Sequence, residues 1–321
     1  MTLVDDGPLS STRRARLATW AGPAAVAVTV LAWASAFVVI RGVSDDFAAG
    51  PLALGRLLVG SIALGTAVLL SRRWVTPTRR EWLLILLCGG SWFGPYNVLL
   101  NAAEQRVDAG TAAMLVNVGP ILVAALAGLA LGERFGRRLV QGALVAFAGA
   151  VLIGLATAQG DGRDLLGSLF CLLAAVTYAV GVVAQKPVLR RLPALQVTWL
   201  ACLVGSVVCL PALPRLLDQL GTASKPSVNG LIYLGLVPTA LAFSTWAYAL
   251  ARTDAGRLGI STYLVPPLTI VLGWALLAER PPGLALVGGL ICLLGVALAR
   301  WTSTPSGPPL EQRTVVKWPA G

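Results

Sequence analysis

Runs of about 20 apolar residues recur from one end of this chain to the other, each apolar on all sides rather than along one stripe. A helix of that length rises roughly 30 Å, the thickness of a bilayer core. A soluble helix keeps a polar face for water, and these have none. Ten spans can be drawn, at about 17–40, 51–71, 82–103, 109–131, 138–157, 164–185, 193–212, 229–250, 257–278 and 284–301. Only 12% of the residues are charged, roughly half the share in soluble domains. The expected fold class is all-α integral membrane, with the lipid bilayer as its surroundings.

The charges locate the loops. A net charge of +11 invites a nucleic-acid partner, but the basic residues sit in short clusters between apolar runs and form no continuous patch. That is the pattern of cytoplasmic membrane loops, so no nucleic acid is expected. Eighteen Lys and Arg fall on the side of the N-terminus and six on the other, with Arg56 inside a span. The bias puts both termini in the cytoplasm of a multi-pass cell-membrane protein. Residues 1–16 read as a flexible cytoplasmic N-terminus, and 302–321, rich in Pro, Ser and Gly, as a disordered cytoplasmic tail. The Pro-containing segment 213–228 reads as the longest loop between spans. Arg13, Arg14 and Arg16 ahead of Ala34-Ser35-Ala36 imitate a secretory signal, but the apolar stretch is too long for one and continues past the cut.

The chain also repeats itself. Residues 103–152 overlay 249–298 without a gap at an offset of 146, with 15 of 50 positions identical. Arg106/Arg252, Asp108/Asp254, Pro120/Pro266, Glu133/Glu279 and Arg134/Arg280 are among them; chance among apolar residues does not pair charges and prolines in register. An offset of 145 pairs Trp33 with Tyr178 and Arg41 with Lys186. Two repeats follow, 17–157 and 164–301, each of five spans. Five is odd, so the second enters the membrane upside down. The loops agree: ERFGRR at 133–138 has three arginines and ERPPGL at 279–284 has one. The expected architecture is ten transmembrane helices built as two inverted five-helix repeats, a signature of secondary transporters.

Several stretches then acquire a likeness. They are LAWASAFVVIR at 31–41, PLALGR at 51–56, GTAAMLVNVGPILVAALAGLALGER at 110–134, GSLFCLLAAVTYAVGVVAQK at 167–186, TALAFSTWAYAL at 239–250 and STYLVPPLTIVLGWALLAER at 261–280. In this order, over roughly residues 20–301, they resemble the EamA-type transporters of the drug/metabolite transporter superfamily. The resemblance implies ten helices, cytoplasmic termini and movement of small metabolites, most often outward. It implies no single substrate, since the family's substrates range over amino acids, drugs and other metabolites.

A carrier needs a polar cavity where helices break near mid-depth. Pro120 and Pro266 fall near the middle of spans four and nine, Pro267 doubles the second break, and Pro95 and Pro238 interrupt spans three and eight. A proline frees a carbonyl one turn back, which serves a hinge, a ligand or only a packing kink. In span three, Asn97, Asn101 and Glu104 share a helical face beside Tyr96, either to contact substrate or to bond a neighbouring helix. Glu104 lies near enough to the external end to read as a mouth residue. Asn117, one turn before Pro120, either touches substrate or patches the break. Hydroxyls and rings cluster as Ser244, Thr245, Trp246 and Tyr248 in span eight and as Ser261, Thr262 and Tyr263 in span nine, although a hydroxyl often bonds only its own helix. Trp33 and Tyr178 are expected to line the path through apolar and cation–π contact. Trp92 and Trp274 read as core packing or lipid contact. Arg56 either snorkels to the surface or attracts an anionic group.

The chain has no histidine, no CxxC pair and no clustered acids, so neither an enzyme nor a metal site is expected. Cys88, Cys171, Cys202, Cys209 and Cys292 all lie in apolar runs and read as buried small residues. No GxxxxGK[ST] loop points to ATP drive, and no cofactor is expected. With no carboxylate at mid-membrane, Glu104 or Glu279 near the surface are the acids left for coupling. The expected function is a secondary transporter moving small metabolites such as amino acids or drugs, in the efflux direction, by alternating access at a midplane cavity. Its partner is a small-molecule substrate, and a homodimer is left open. The competing class is a non-transporting accessory or sensor subunit, which predicts no flux and stable co-purification with a partner.

Overall fold

The computed structural model describes residues 8–106, 112, 115–133, 136–157, 165–277 and 283–300. The expected tail and the repeat residues Asp108, Arg134, Glu279 and Arg280 lie outside them. Every regular element among the described residues is helical. Helices α1 (Pro8–Val43) and α2 (Ala49–Ser71) come first. Helix α3 (Arg79–Cys88) opens into a π turn, Gly89–Phe93, and continues as α4 (Pro95–Glu104). Helices α5 (Gly119–Leu131), α6 (Arg137–Thr157), α7 (Leu165–Val188) and α8 (Ala194–Cys209) follow. After the short α9 (Leu213–Thr222), α10 (Lys225–Leu234) opens into a second π turn, Gly235–Leu241, and continues as α11 (Ala242–Leu250). Helix α12 (Ala255–Ile260) passes through a 3₁₀ turn, Ser261–Leu264, into α13 (Val265–Leu277), and α14 (Gly283–Arg300) comes last.

Among the described residues, seven helical stretches are long and apolar enough to cross a bilayer; of these, Arg79–Glu104 and Lys225–Leu250 run through their π turns. Gly119–Leu131 and Leu286–Leu298 are apolar but shorter. The surface is dressed for lipid: Leu69, Leu70 and Leu129 are 76%, 78% and 86% exposed, while Arg56, Asn97 and Gln185 are buried. That inverts the distribution of a soluble protein. One expectation is corrected. The supposed loop 213–228 contains α9 and the first turn of α10. Pro214 and Pro226 stand in the first turns of these helices, where no backbone donor is needed. Leu216 is buried, and Gln219 accepts a hydrogen bond from Ala48 N at 3.2 Å.

The packing follows the same offsets as the sequence. Helix α1 packs on α10, the second π turn and α11; α7 packs on α3, the first π turn and α4. Helix α2 packs on the second π turn and α8 on the first. A Cβ placed on Gly89 would lie 2.5 Å from both Ala201 O and Val204 Cβ; one on Gly235 would lie 2.9 Å from Arg56 O and 2.5 Å from Val59 Cβ. Ala201 and Val204 stand 145 positions after Arg56 and Val59. Where α2 crosses α8, Ser61 and Ser206, also 145 apart, share a hydrogen bond at 3.3 Å. Helices α6 and α14 meet in the same way. Gly149 abuts Gly288 O and Cys292 N, each 2.6 Å from its would-be Cβ; Gly295 abuts Ala146, with Cα at 2.7 Å. Without a hydrophobic drive between helices in lipid, such close backbone approach is what holds them.

The recurring glutamate has a structural task. Gly132 ends α5 with φ +68°, a left-handed turn that glycine adopts freely. The turn puts Glu133 at the start of α12, where its Oε1 accepts from Ala255 N at 3.0 Å and its Oε2 from Gly256 N at 3.3 Å. The carboxylate also meets the positive end of the helix. Glu133→Ala is expected to cost about 1–2 kcal/mol. Thermal melts in detergent should then shift down by roughly 2–4 °C per kcal/mol, with Glu133→Gln losing less.

Candidate functional site

Helix breaks and close packing enclose a cavity. Its walls come from α1, α2, the first π turn with α4, the turn ahead of α5, α7, α11 and the 3₁₀ turn ahead of α13. It holds about 720 Å³ of atom-free space, its open mouth included.

Each break supplies something to the wall. The first π turn is closed by Gly94 N donating to Gly89 O at 3.0 Å, and Pro95 then starts α4 with no N–H to satisfy. Asn97 Nδ2 donates to Phe93 O at 2.7 Å, a carbonyl within that turn. Pro238 lies inside the second π turn, and its carbonyl accepts from Trp33 Nε1 at 3.2 Å. The indole of Trp33 is therefore tied to the opposite half of the chain. Pro120 stands second in α5, directly after the turn that carries Asn117; Pro266 and Pro267 stand second and third in α13.

The apolar wall is a cage of rings. Trp92 lies 6.1 Å from Trp33, 5.3 Å from Tyr178 and 4.9 Å from Phe243, centroid to centroid, in tilted or edge-on arrangements. Such geometry is the favoured one for aromatic pairs. The polar wall is sparse. Arg56 is 4% exposed, and its Nε donates to Thr239 Oγ1 at 3.0 Å. Thr239 in turn donates to Leu234 O at 2.8 Å, which fixes the hydroxyl and so the guanidinium. The amino nitrogens of the fork remain for the cavity. Glu104 lines both the cavity and a polar basin beyond it that includes Arg41, Asp45, Arg106 and Arg215; its Oε1 is buried with no hydrogen-bond partner.

The cavity gathers Trp33, Arg56, Tyr96, Asn97, Asn117 and Tyr178, together with Thr262 and Pro120. It leaves out others that sequence reasoning grouped with them. Asn101 turns away and donates to Ala49 O at 3.2 Å. Its spacing explains this: on an ideal helix Asn97 and Glu104 lie about 20° apart, while Asn101 lies about 40° to the other side of Asn97. Thr245 shares a hydrogen bond of 2.7 Å with Thr29 and bonds Ala242 O at 3.0 Å, so it joins α1 to α11. Tyr248 lies under the guanidinium of Arg252, 3.5 Å from its ring centroid. Trp246 is 1% exposed and stacks behind Trp33 at 5.1 Å. Arg56 does not snorkel; it lies inside the protein. Two rings of the wall were not expected there: Trp92, read from the sequence as core packing or lipid contact, and Phe243, not singled out. Gly181 faces Trp92 so closely that a Cβ there would collide with it.

Comparison with known proteins follows the geometry. The EamA-like transporter family matches residues 20–155 and 165–301. A protein of Streptantibioticus cattleyicolor described as a probable terminal-alkyne amino-acid exporter is 40% identical over 85% of this chain and 91% of its own length. An uncharacterised transporter of Bacillus subtilis is 32% identical over 82% of this chain and 86% of its own. A probable amino-acid metabolite efflux pump of Salmonella typhimurium is 26% identical over 64% and 71%. One solved crystal structure superposes with a TM-score of 0.72 at 23% identity, covering 87% of this chain and 96% of that one, which speaks to the fold alone.

Proposed function

Since this chain belongs to the EamA-like transporter family, and is a multi-pass membrane transporter rather than an enzyme, we propose that it exports amino-acid-like metabolites across the cell membrane by alternating access. The carrying observation is the cavity: a cage of rings with Arg56 in one wall and Glu104 at the mouth. A zwitterion offers its carboxylate to the arginine fork and its ammonium to Glu104. The rings hold its side chain by apolar area and cation–π contact. Relatives named for amino-acid export support the substrate class and the direction.

The architecture that serves this is ten helices in two inverted repeats, 17–157 and 164–301. The contact pairs that exchange at offsets of 145 and 146 support it. The excess of Lys and Arg on the N-terminal side supports cytoplasmic termini, so the mouth at Glu104 faces outward. Trp33, Arg56, Tyr96, Asn97, Asn117, Tyr178 and Thr262 form the substrate path, and the breaks at Pro95, Pro120, Pro238, Pro266 and Pro267 are its joints.

Counterflow of labelled neutral, aromatic and cationic amino acids in proteoliposomes tests the reading. Saturable exchange is expected, and is expected to disappear when Trp33→Ala and Asn97→Ala are combined. Exchange that survives the double substitution moves the site elsewhere. Folded protein that exchanges none of the panel but purifies with a fixed partner overturns the carrier in favour of an accessory subunit.

A further inference from the structure

The cavity opens to one side, and the repeat says which residues hold the other side shut. Each wall residue has an image in the opposite half, at offset 145 for α1 and offset 146 for α4 and the turn ahead of α5. Trp33 maps to Tyr178 and Val116 to Thr262; all four line the cavity, where the halves meet. Of the wall residues that map away from it, three have a polar image: Ile40 maps to Gln185, Leu100 to Trp246, and Asn117 to Tyr263. These images stand outside the cavity and are sealed, with exposures of 0%, 1% and 0% against 3%, 5% and 8% for the wall residues.

They are also where buried polar atoms lack partners. Both amide atoms of Gln185, Nε1 of Trp246 and the hydroxyl of Tyr263 make no hydrogen bond. Buried polar groups in native proteins are nearly always paired, and an unpaired one is worse for packing than an apolar residue of the same shape. Such groups are stabilising only in a state that gives them water or a ligand. An inverted repeat provides that state, because its second conformation exchanges the environments of paired positions.

We propose that Gln185, Trp246 and Tyr263 line a second half-channel, closed in this structure, which opens on the side of the N-terminus and leads to the same Trp33–Tyr178 centre. The proposal rests on the carrier reading. The half-channel carries an amide, an indole and a phenol and takes small polar solutes by neutral hydrogen bonds: the image of Arg56 is Ala201 and that of Glu104 is Leu250, both apolar and fully buried. Opening it closes the present cavity over Ile40, Leu100 and Asn117 in turn.

The test uses single substitutions Ile40→Cys, Gln185→Cys and Tyr263→Cys in the full-length chain, with the unsubstituted chain as blank because its five cysteines are all buried. A membrane-impermeant thiol reagent is applied from each side of proteoliposomes, with and without counterflow of a transported amino acid. Ile40→Cys is expected to react only from the side of Arg41, and Gln185→Cys and Tyr263→Cys only from the side of the N-terminus. Counterflow should raise the reactivity of Gln185→Cys and Tyr263→Cys and lower that of Ile40→Cys, by about threefold or more as populations shift. Gln185→Cys and Tyr263→Cys that stay unreactive while Ile40→Cys reacts and flux persists would overturn the half-channel and leave the carrier intact. Absence of flux in the unsubstituted chain would instead overturn the carrier. Gln185→Leu supplies an independent reading. It should melt no lower than the parent, keep Ile40→Cys reactive and lose flux, whereas an amide that only packs would lower the melting temperature and leave flux in proportion to folded protein.

Discussion

Gly295→Leu is expected to yield no monodisperse folded protein. At this position even a methyl group would lie 2.7 Å from Ala146 Cα, a backbone atom that no side-chain rotation can move aside. Helices α6 and α14 would have to separate along their length, and each lost close contact forfeits dispersion energy. Overpacking a tight site costs about 1–3 kcal/mol for small additions, and a leucine exceeds that against a total stability of roughly 5–15 kcal/mol. Gly149→Leu should act alike, since its would-be Cβ lies 2.6 Å from Gly288 O and Cys292 N. Gly42→Leu is the control, because nothing lies within 4 Å of its would-be Cβ. Size-exclusion profiles in detergent separate the cases. A monodisperse Gly295→Leu protein with the parent's melting temperature would show that the α6–α14 contact is dispensable.

Arg56→Leu carries the second large effect, on transport. A hydrogen bond to a charged group is worth about 1.5–3 kcal/mol, or roughly 10- to 150-fold in kcat/KM. Exchange of an amino acid is expected to fall by that factor, while exchange of the matching amine without a carboxylate changes little. The difference between the two solutes is the informative number, since a merely destabilised protein loses both equally. Thr239→Val should raise KM more than it lowers kcat, because it removes the acceptor that aims the guanidinium without removing the charge. Arg56→Lys should rescue little, since an ammonium cannot hold Thr239 and present a fork at once. Equal loss for amine and amino acid would assign Arg56 to structure alone.

The membrane class and the family were legible because they depend on long-range averages: apolar runs without a polar face, and charged residues and prolines recurring in register. The site was legible only where polarity is rare. Arg56, Asn97 and Asn117 stand out in apolar spans and reach the cavity. Asn101 stands out equally and misses it, because about 40° of helical phase decides between a cavity and a neighbour's carbonyl. Thr245 and Tyr248 were grouped by proximity in sequence, yet one joins two helices and the other stacks under Arg252. Trp92 and Phe243 were hidden, since a ring among apolar residues looks like any core residue until its neighbours are known. Pro214 and Pro226 misled in the other direction, marking helix starts where a loop was expected.

The glycines of the two π turns have a mechanical consequence. At Gly89 and Gly235 the backbone rests directly on a neighbouring helix, against a carbonyl and a stiff valine: Ala201 O and Val204 in one case, Arg56 O and Val59 in the other. A joint of that kind has almost no compressible material, so it acts as a fulcrum rather than a cushion. The π turn beside it adds a residue per turn and loosens the rod where it pivots. Each broken helix is then a lever with two arms, Arg79–Cys88 and Pro95–Glu104 in the first half, Lys225–Leu234 and Ala242–Leu250 in the second. Arms on opposite sides of a fulcrum travel in opposite directions. Under the alternating access proposed above, such a lever would need no separate latch to keep both ends from gaping at once: leverage itself would forbid the leak.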